Sequence, residues 1–206
     1  MCWSATADLA AGAGIAAVGV ACVTQARRRA DLPLAALPLL LGAHQIVESL
    51  VWNAGGGSGT ATVAWAVIAL PVLALWVPVG VWCAAPRDAR PRLTLPLASG
   101  LATTAVLAHA LVTRPVTAEI RGHTVGYVVD LSHPEVLIAG YLLATVGALL
   151  LSGDRGLVLL GALVAVGAAT CWALWRLEFV SAWCAFAAVS SVALWGWVRS
   201  RDAVER

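Results

Sequence analysis

Few side chains in this sequence can do chemistry, and the densest group lies inside an apolar stretch. His44-Gln45-x-x-Glu48-x-x-x-Trp52 places an imidazole, an amide, a carboxyl and an indole on successive turns of one helical face. Glu48 is four residues before Trp52, about 6 Å along the axis at ~1.5 Å per residue. An ionisable group inside an apolar helix is costly, so by default it faces other helices and marks a functional site. His109 comes four residues before the end of another apolar stretch, and Cys171 and Cys184 lie within the last two. Cys2 and Ser4 open the chain, and removal of Met1 would leave Cys2 with a free amine and a free thiol.

Three chemistries suit these residues. His44, Glu48 and His109, with Cys2 or Cys184, are suitable ligand types for a metal such as zinc or copper, although no compact ligand motif is present. Glu48 with His44 is an acid/base pair for proton delivery in an apolar cavity. Cys2 is a nucleophile, or a disulfide partner for Cys184 or Cys171. The structural alternative is a hydrogen-bonded His44–Glu48 pair that only fastens helices together, with the cysteines as small apolar packing groups. Trp52, His109, Trp183 and Cys184 are candidates to line a substrate pocket, and Trp65 and Trp76 lie deep enough to join them.

The elements that must position these groups follow from composition. Of 206 residues, 61% are hydrophobic and 12% are charged, with mean hydropathy +0.87. A soluble domain carries about 25% charged residues, so the missing charge points to lipid as solvent. Seven apolar stretches, near 6–24, 33–52, 60–83, 94–113, 135–153, 155–175 and 178–198, each approach the ~20 residues that cross a bilayer core. They predict one all-α domain over residues 1–206, a seven-helix multi-pass bundle in the cell membrane. The opening residues lack a basic n-region and a small-residue cleavage site, so the first stretch is read as a retained helix.

All 13 basic residues are arginine. The absence of lysine excludes a Schiff-base protein such as a microbial rhodopsin. A net charge of +2, spread over short loops, argues against nucleic acid as a partner. Ten arginines, among them Arg27–Arg29, Arg87, Arg90, Arg92, Arg155, Arg199 and Arg201, fall on one side of the bundle. Arg114, Arg121 and Arg176 fall on the other. The positive-inside rule then puts the C-terminus in the cytoplasm and the N-terminus outside. The polar side chains gather toward the outer end. The one long connection, 114–134, lies there too, and its β-branched residues around Arg121-Gly122-His123 suit a short β-hairpin or ordered cap between the fourth and fifth helices, with an ordinary surface loop as the alternative.

The opening Met1-Cys2-Trp3-Ser4-Ala5, the Gln45-x-x-Glu48-x-x-x-Trp52 segment and Ala182-Trp183-Cys184-Ala185-Phe186-Ala187-Ala188 resemble an uncharacterised family of bacterial, mainly actinobacterial, integral membrane proteins. Its members begin Met-Cys-Phe-Ser-Ala. Trp3 and Ala185 depart from the family's usual Phe. The resemblance implies no activity, but it groups Cys2, Glu48, Trp52 and Cys184 as one site.

The expectation is a membrane-embedded enzyme with an outward-facing pocket, using Glu48, His44 and Cys2 on an apolar, lipid- or isoprenoid-like substrate, cyclase-type chemistry included. Small seven-helix terpene cyclases use membrane carboxylates in this way, a likeness of architecture alone. The alternatives are a metal- or redox-cofactor protein with a His/Glu/Cys site at the outer leaflet, and a small-solute transporter coupled through Glu48.

Overall fold

The structure is a computed structural model. It describes the backbone of residues 4–174 and 179–204 and the side chains of 4–170 and 186–201. It is mostly helical, with one two-stranded sheet. Helix α1 spans Ala5–Gln25, and Ser4 starts it by accepting the Ala7 N–H at 3.2 Å. Two short helical turns over Arg29–Asp31 and Leu32–Ala35 lead into α2, Leu37–Asn53. Helices α3 (Thr60–Ala84), α4 (Arg90–Thr113) and α5 (Pro134–Leu151) follow. The chain continues with α6 (Arg155–Leu174) and α7 (Phe179–Val204). Among the described residues, five helices are long and apolar enough to cross a bilayer: α1, α2 with its lead-in turns, α3, α4 and α5. The second apolar stretch is broken near Ala36 rather than continuous from residue 33, because Pro33 and Pro38 each remove a backbone donor there.

α1 and α2 pack antiparallel through small residues. A Cβ on Gly12 would lie 2.9 Å from the Gly42 carbonyl, one on Gly42 2.7 Å from the Ala16 nitrogen, and one on Gly19 2.6 Å from the Leu39 nitrogen. The absence of side chains at these points lets the two backbones touch. Helices α3 and α5 each contain a widened turn, at Ile68–Val72 around Pro71 and at Leu143–Gly147. Carbonyls near these turns take side-chain donors from neighbouring helices. Tyr141 donates to Ala69 O at 2.8 Å, Thr104 to Pro71 O at 2.9 Å and Ser99 to Gly140 O at 2.9 Å.

The arginine-rich end is tied together at the turn before α6. Asp154 Oδ1 accepts the Gly156 N–H at 2.9 Å and the Trp197 indole N–H at 3.1 Å, and its Oδ2 accepts Arg201 at 3.0 Å. Trp195 reaches across to Gln25 Oε1 at 3.2 Å. Arg199 and Arg201 lie over the rings of Trp195 and Trp197, 5.1 and 5.0 Å from their centroids. Trp76, expected to line a pocket, instead donates to Pro33 O at 2.8 Å and is 38% exposed.

The opposite end carries the hairpin expected from the sequence. Strands β1 (Val116–Arg121) and β2 (Thr124–Val129) pair antiparallel from Arg121↔Thr124 to Val116↔Val129, with Gly122 at φ +63° in the turn. Val116, Ala118 and Val125 are buried against Val51, Trp65 and Ala66. The loop after α2 joins β1: Gly57 N–H donates to Ala118 O at 2.8 Å and Ala118 N–H to Gly57 O at 2.9 Å. Gly55, Gly56 and Gly57 all adopt positive φ, and a Cβ on Gly56 would lie 2.6 Å from Ala118 O.

The α1–α2 contact gives a direct test. Gly42→Val meets backbone on both sides and is expected to destabilise the protein by about 1–3 kcal/mol, the cost of an overpacked core. Gly14→Val faces open space and is expected to have little effect. Thermal unfolding of the two variants in detergent distinguishes them, and equal unfolding temperatures would contradict the close contact.

Candidate functional site

The stripe on α2 faces the bundle interior. Glu48 is 0% exposed, Gln45 1% and His44 6%. Ser49, also buried, turns its hydroxyl back to Ile46 O at 2.7 Å, which leaves the neighbouring polar groups to one another. The register of α1 against α2, with Gly12 at Gly42 and Ile46, carries one turn further to bring Asp8 level with Glu48. Asp8 is fully buried, and the two carboxylates lie within electrostatic reach. The Trp52 indole N–H lies near the Asp8 carboxylate but outside hydrogen-bond geometry.

Aromatic rings close this group from the hairpin side. The His44 ring lies 4.9 Å from that of Trp65, tilted by 41°. Tyr127, on β2, stacks against Trp65, with centroids 3.4 Å apart and planes within 4°. Its hydroxyl donates to Glu48 Oε1 at 3.3 Å. The hairpin therefore reaches the carboxylate pair through one phenol.

Polar atoms in this cluster outnumber the bonds they make. Both Asp8 oxygens, His44 Nε2, both ends of the Gln45 amide and the indole nitrogens of Trp52 and Trp65 are buried without a hydrogen-bond partner among the described residues. A buried polar group left without a partner costs about 1–3 kcal/mol. A purely structural fastening would be expected to satisfy such groups, and α3, α4 and α5 do satisfy theirs at the widened turns.

A family model matches residues 1–206, the whole chain. The protein belongs to DUF6629, a family of unknown function. No curated protein and no solved structure matches it. The resemblance to an uncharacterised family therefore stands, and the reading of this DUF6629 chain rests on its own geometry.

Glu48, His44 and Trp52 share one face of α2, Glu48 and His44 buried and Trp52 half-buried. His109 does not join them. It is exposed on α4, because burying Leu107 and Ala110 turns a residue 200° and 100° around the helix from them outward. The His44/Glu48/His109 ligand set is therefore not assembled, and no group of three His, Cys, Asp or Glu side chains suited to a metal occurs among the described residues. Cys2, Cys171, Trp183 and Cys184 lie outside the residues whose side chains are described. Cys22 and Cys83 sit toward the arginine-rich end, away from the cluster.

Two members were not foreseen. Asp8 had a legible signal, a carboxylate four positions into an apolar helix and one turn before the Gly12/Gly19 contact stripe. Tyr127 had none beyond its place in a hairpin, since nothing local says which helix the hairpin covers.

Asp8→Asn keeps the shape and removes a charge from beside Glu48. If the pair is held together for function, the variant is expected to be as stable as the wild type or more so, by up to about 1 kcal/mol. A clear fall in the unfolding temperature would instead mark Asp8 as a structural anchor.

Proposed function

We propose that this protein is a membrane-embedded acid/base enzyme acting on an apolar, isoprenoid-like substrate, with Asp8 and Glu48 as the working carboxyl groups. The observation that carries this reading is the pairing of two buried carboxylates beside His44 at one end of a helical bundle. Two neighbouring carboxyls can divide the roles of acid and base. His44 and Gln45 lie on the same helical face as Glu48, and Trp52, Trp65 and Tyr127 supply an apolar, aromatic wall that excludes water and can stabilise developing positive charge on carbon.

In the same proposal the chain crosses the cell membrane seven times, adding α6 and α7 to the five helices already identified. The arginine-rich end faces the cytoplasm by the positive-inside rule, and the hairpin and the carboxylate site face outward. Cysteine accessibility checks this topology. On intact cells, an impermeant maleimide is expected to label His123→Cys at the hairpin turn and to leave Asp88→Cys unlabelled until the cells are opened. The reverse pattern would invert the orientation.

Solvent isotope incorporation checks the chemistry. Wild-type protein in proteoliposomes made in D2O, given a panel of linear terpenes and polyprenols, is expected to return a product with deuterium on carbon. Glu48→Gln and Asp8→Asn are expected to lower incorporation by about 100-fold or more, the usual worth of a positioned acid or base. Incorporation that persists in both variants, or is absent from folded wild type across the panel, would remove this function.

A further inference from the structure

The site already holds one aromatic alcohol, supplied by the chain itself. The Tyr127 ring lies flat on Trp65 and its hydroxyl reaches Glu48 Oε1. Tyr127 arrives on a hairpin joined to the helices by a strand bridge at Gly57 and by Val116, Ala118 and Val125, which pack against Val51, Trp65 and Ala66. Beyond the phenol lie groups it does not engage: the buried Gln45 amide, His44 Nε2 and two indole N–H donors.

This inventory selects a ligand class. A cation would be held by the carboxylates but would leave the indole donors unmatched. An anion would meet those donors but would be opposed by Asp8 and Glu48. A neutral hydroxylated ring both donates and accepts, and its planar body suits the Trp65 face. We propose that Tyr127 is a resident stand-in for the ligand's head, and that this site takes a lipid-soluble phenol or hydroquinone when the hairpin withdraws. One hydroxyl donates to Glu48 in place of Tyr127, and the ring takes over the stack on Trp65. The hydroxyl oxygens then accept from the indole or amide donors. The apolar tail extends toward lipid. The inference deepens the acid/base reading by naming the substrate class of the same site.

The test is equilibrium binding of tritiated decylhydroquinone to the full-length protein in nanodiscs, kept anaerobic so that the probe stays reduced. Saturable binding is expected, weakened about 10-fold by Glu48→Gln, which loses one hydrogen bond to a charged group. Tyr127→Ala removes the competing phenol and is expected to tighten binding about 10-fold, and Tyr127→Phe, which keeps the ring, by a smaller factor. Decylbenzene, lacking the hydroxyls, and decanol, lacking the ring, are expected to compete poorly. The inference falls if neither wild type nor Tyr127→Phe binds while both keep a cooperative unfolding transition. It falls equally if Glu48→Gln binds as tightly as wild type, or if decanol competes as well as unlabelled hydroquinone. Hydroquinone binding with no deuterium transfer to any substrate would uphold this inference and remove the acid/base reading. Deuterium transfer to a linear isoprenoid without hydroquinone binding would do the reverse.

Discussion

The close approach of α1 to α2 is the constraint on which the rest depends. Glycines at 12, 19 and 42 let the two backbones meet with no side chain between them. In lipid, where apolar surfaces gain nothing by leaving water, packing of this kind is what holds helices together. It also fixes the register. Once Gly12 sits at Gly42, Asp8 must sit near Glu48, and the fold must hold two carboxyl groups in one buried place. Burying ions has a penalty on the order of several kcal/mol each. The close helix contact thus imposes a costly arrangement of side chains whenever both carboxyl groups are ionised.

The two ends of the bundle handle polar groups differently. At the arginine-rich end, Asp154 satisfies two backbone N–H groups, an indole and a guanidinium, and the charges sit against tryptophan faces. Each of these contacts is a completed pair. At the widened turns of α3 and α5, carbonyls receive hydroxyl donors from the helices beside them. Most of the buried donors and acceptors without a hydrogen-bond partner among the described residues lie in the cluster around Asp8 and Glu48, although the Nε atoms of Arg90 and Arg201 at the arginine-rich end are unmatched too. That concentration at one end is what supports the proposal that these groups meet a ligand.

The mostly helical character was legible because about twenty apolar residues between polar punctuation favour a helix that can span lipid, and among the described residues five of the seven expected stretches form helices of that length and apolarity. The hairpin was legible too, since β-branched residues flank a Gly-His turn. The α2 stripe was legible because 44, 45, 48 and 52 share a helical face and a charge inside an apolar helix must turn inward. His109 shows the boundary of that logic. Depth along a helix says how far a residue lies from the interface but not which way it points, and Leu107 and Ala110 claimed the inner face of α4. Asp8 shows the other boundary. Its partner is forty residues away, and only the glycine register between two helices reveals that they meet.

Tyr127 explains why a hairpin belongs at this end at all. A connection of this length needs no strands to join α4 to α5, and ordering them costs conformational entropy. The strands do more than connect: β1 bonds the glycine loop after α2, and β2 delivers one aromatic ring onto Trp65 and one hydroxyl onto Glu48. The glycine loop accepts this partner because three successive residues adopt positive φ, a path that β-branched or bulky residues would strain. The cover holds through a strand bridge, the stacked ring and an apolar core of Val116, Ala118 and Val125 against Val51, Trp65 and Ala66, while the carboxylates beneath sit on helices in direct backbone contact. The side chains that seal this end are thus the same ones that set Tyr127 against Trp65 and Glu48, so the shielding of the carboxyl groups and the placement of the phenol are one packing problem.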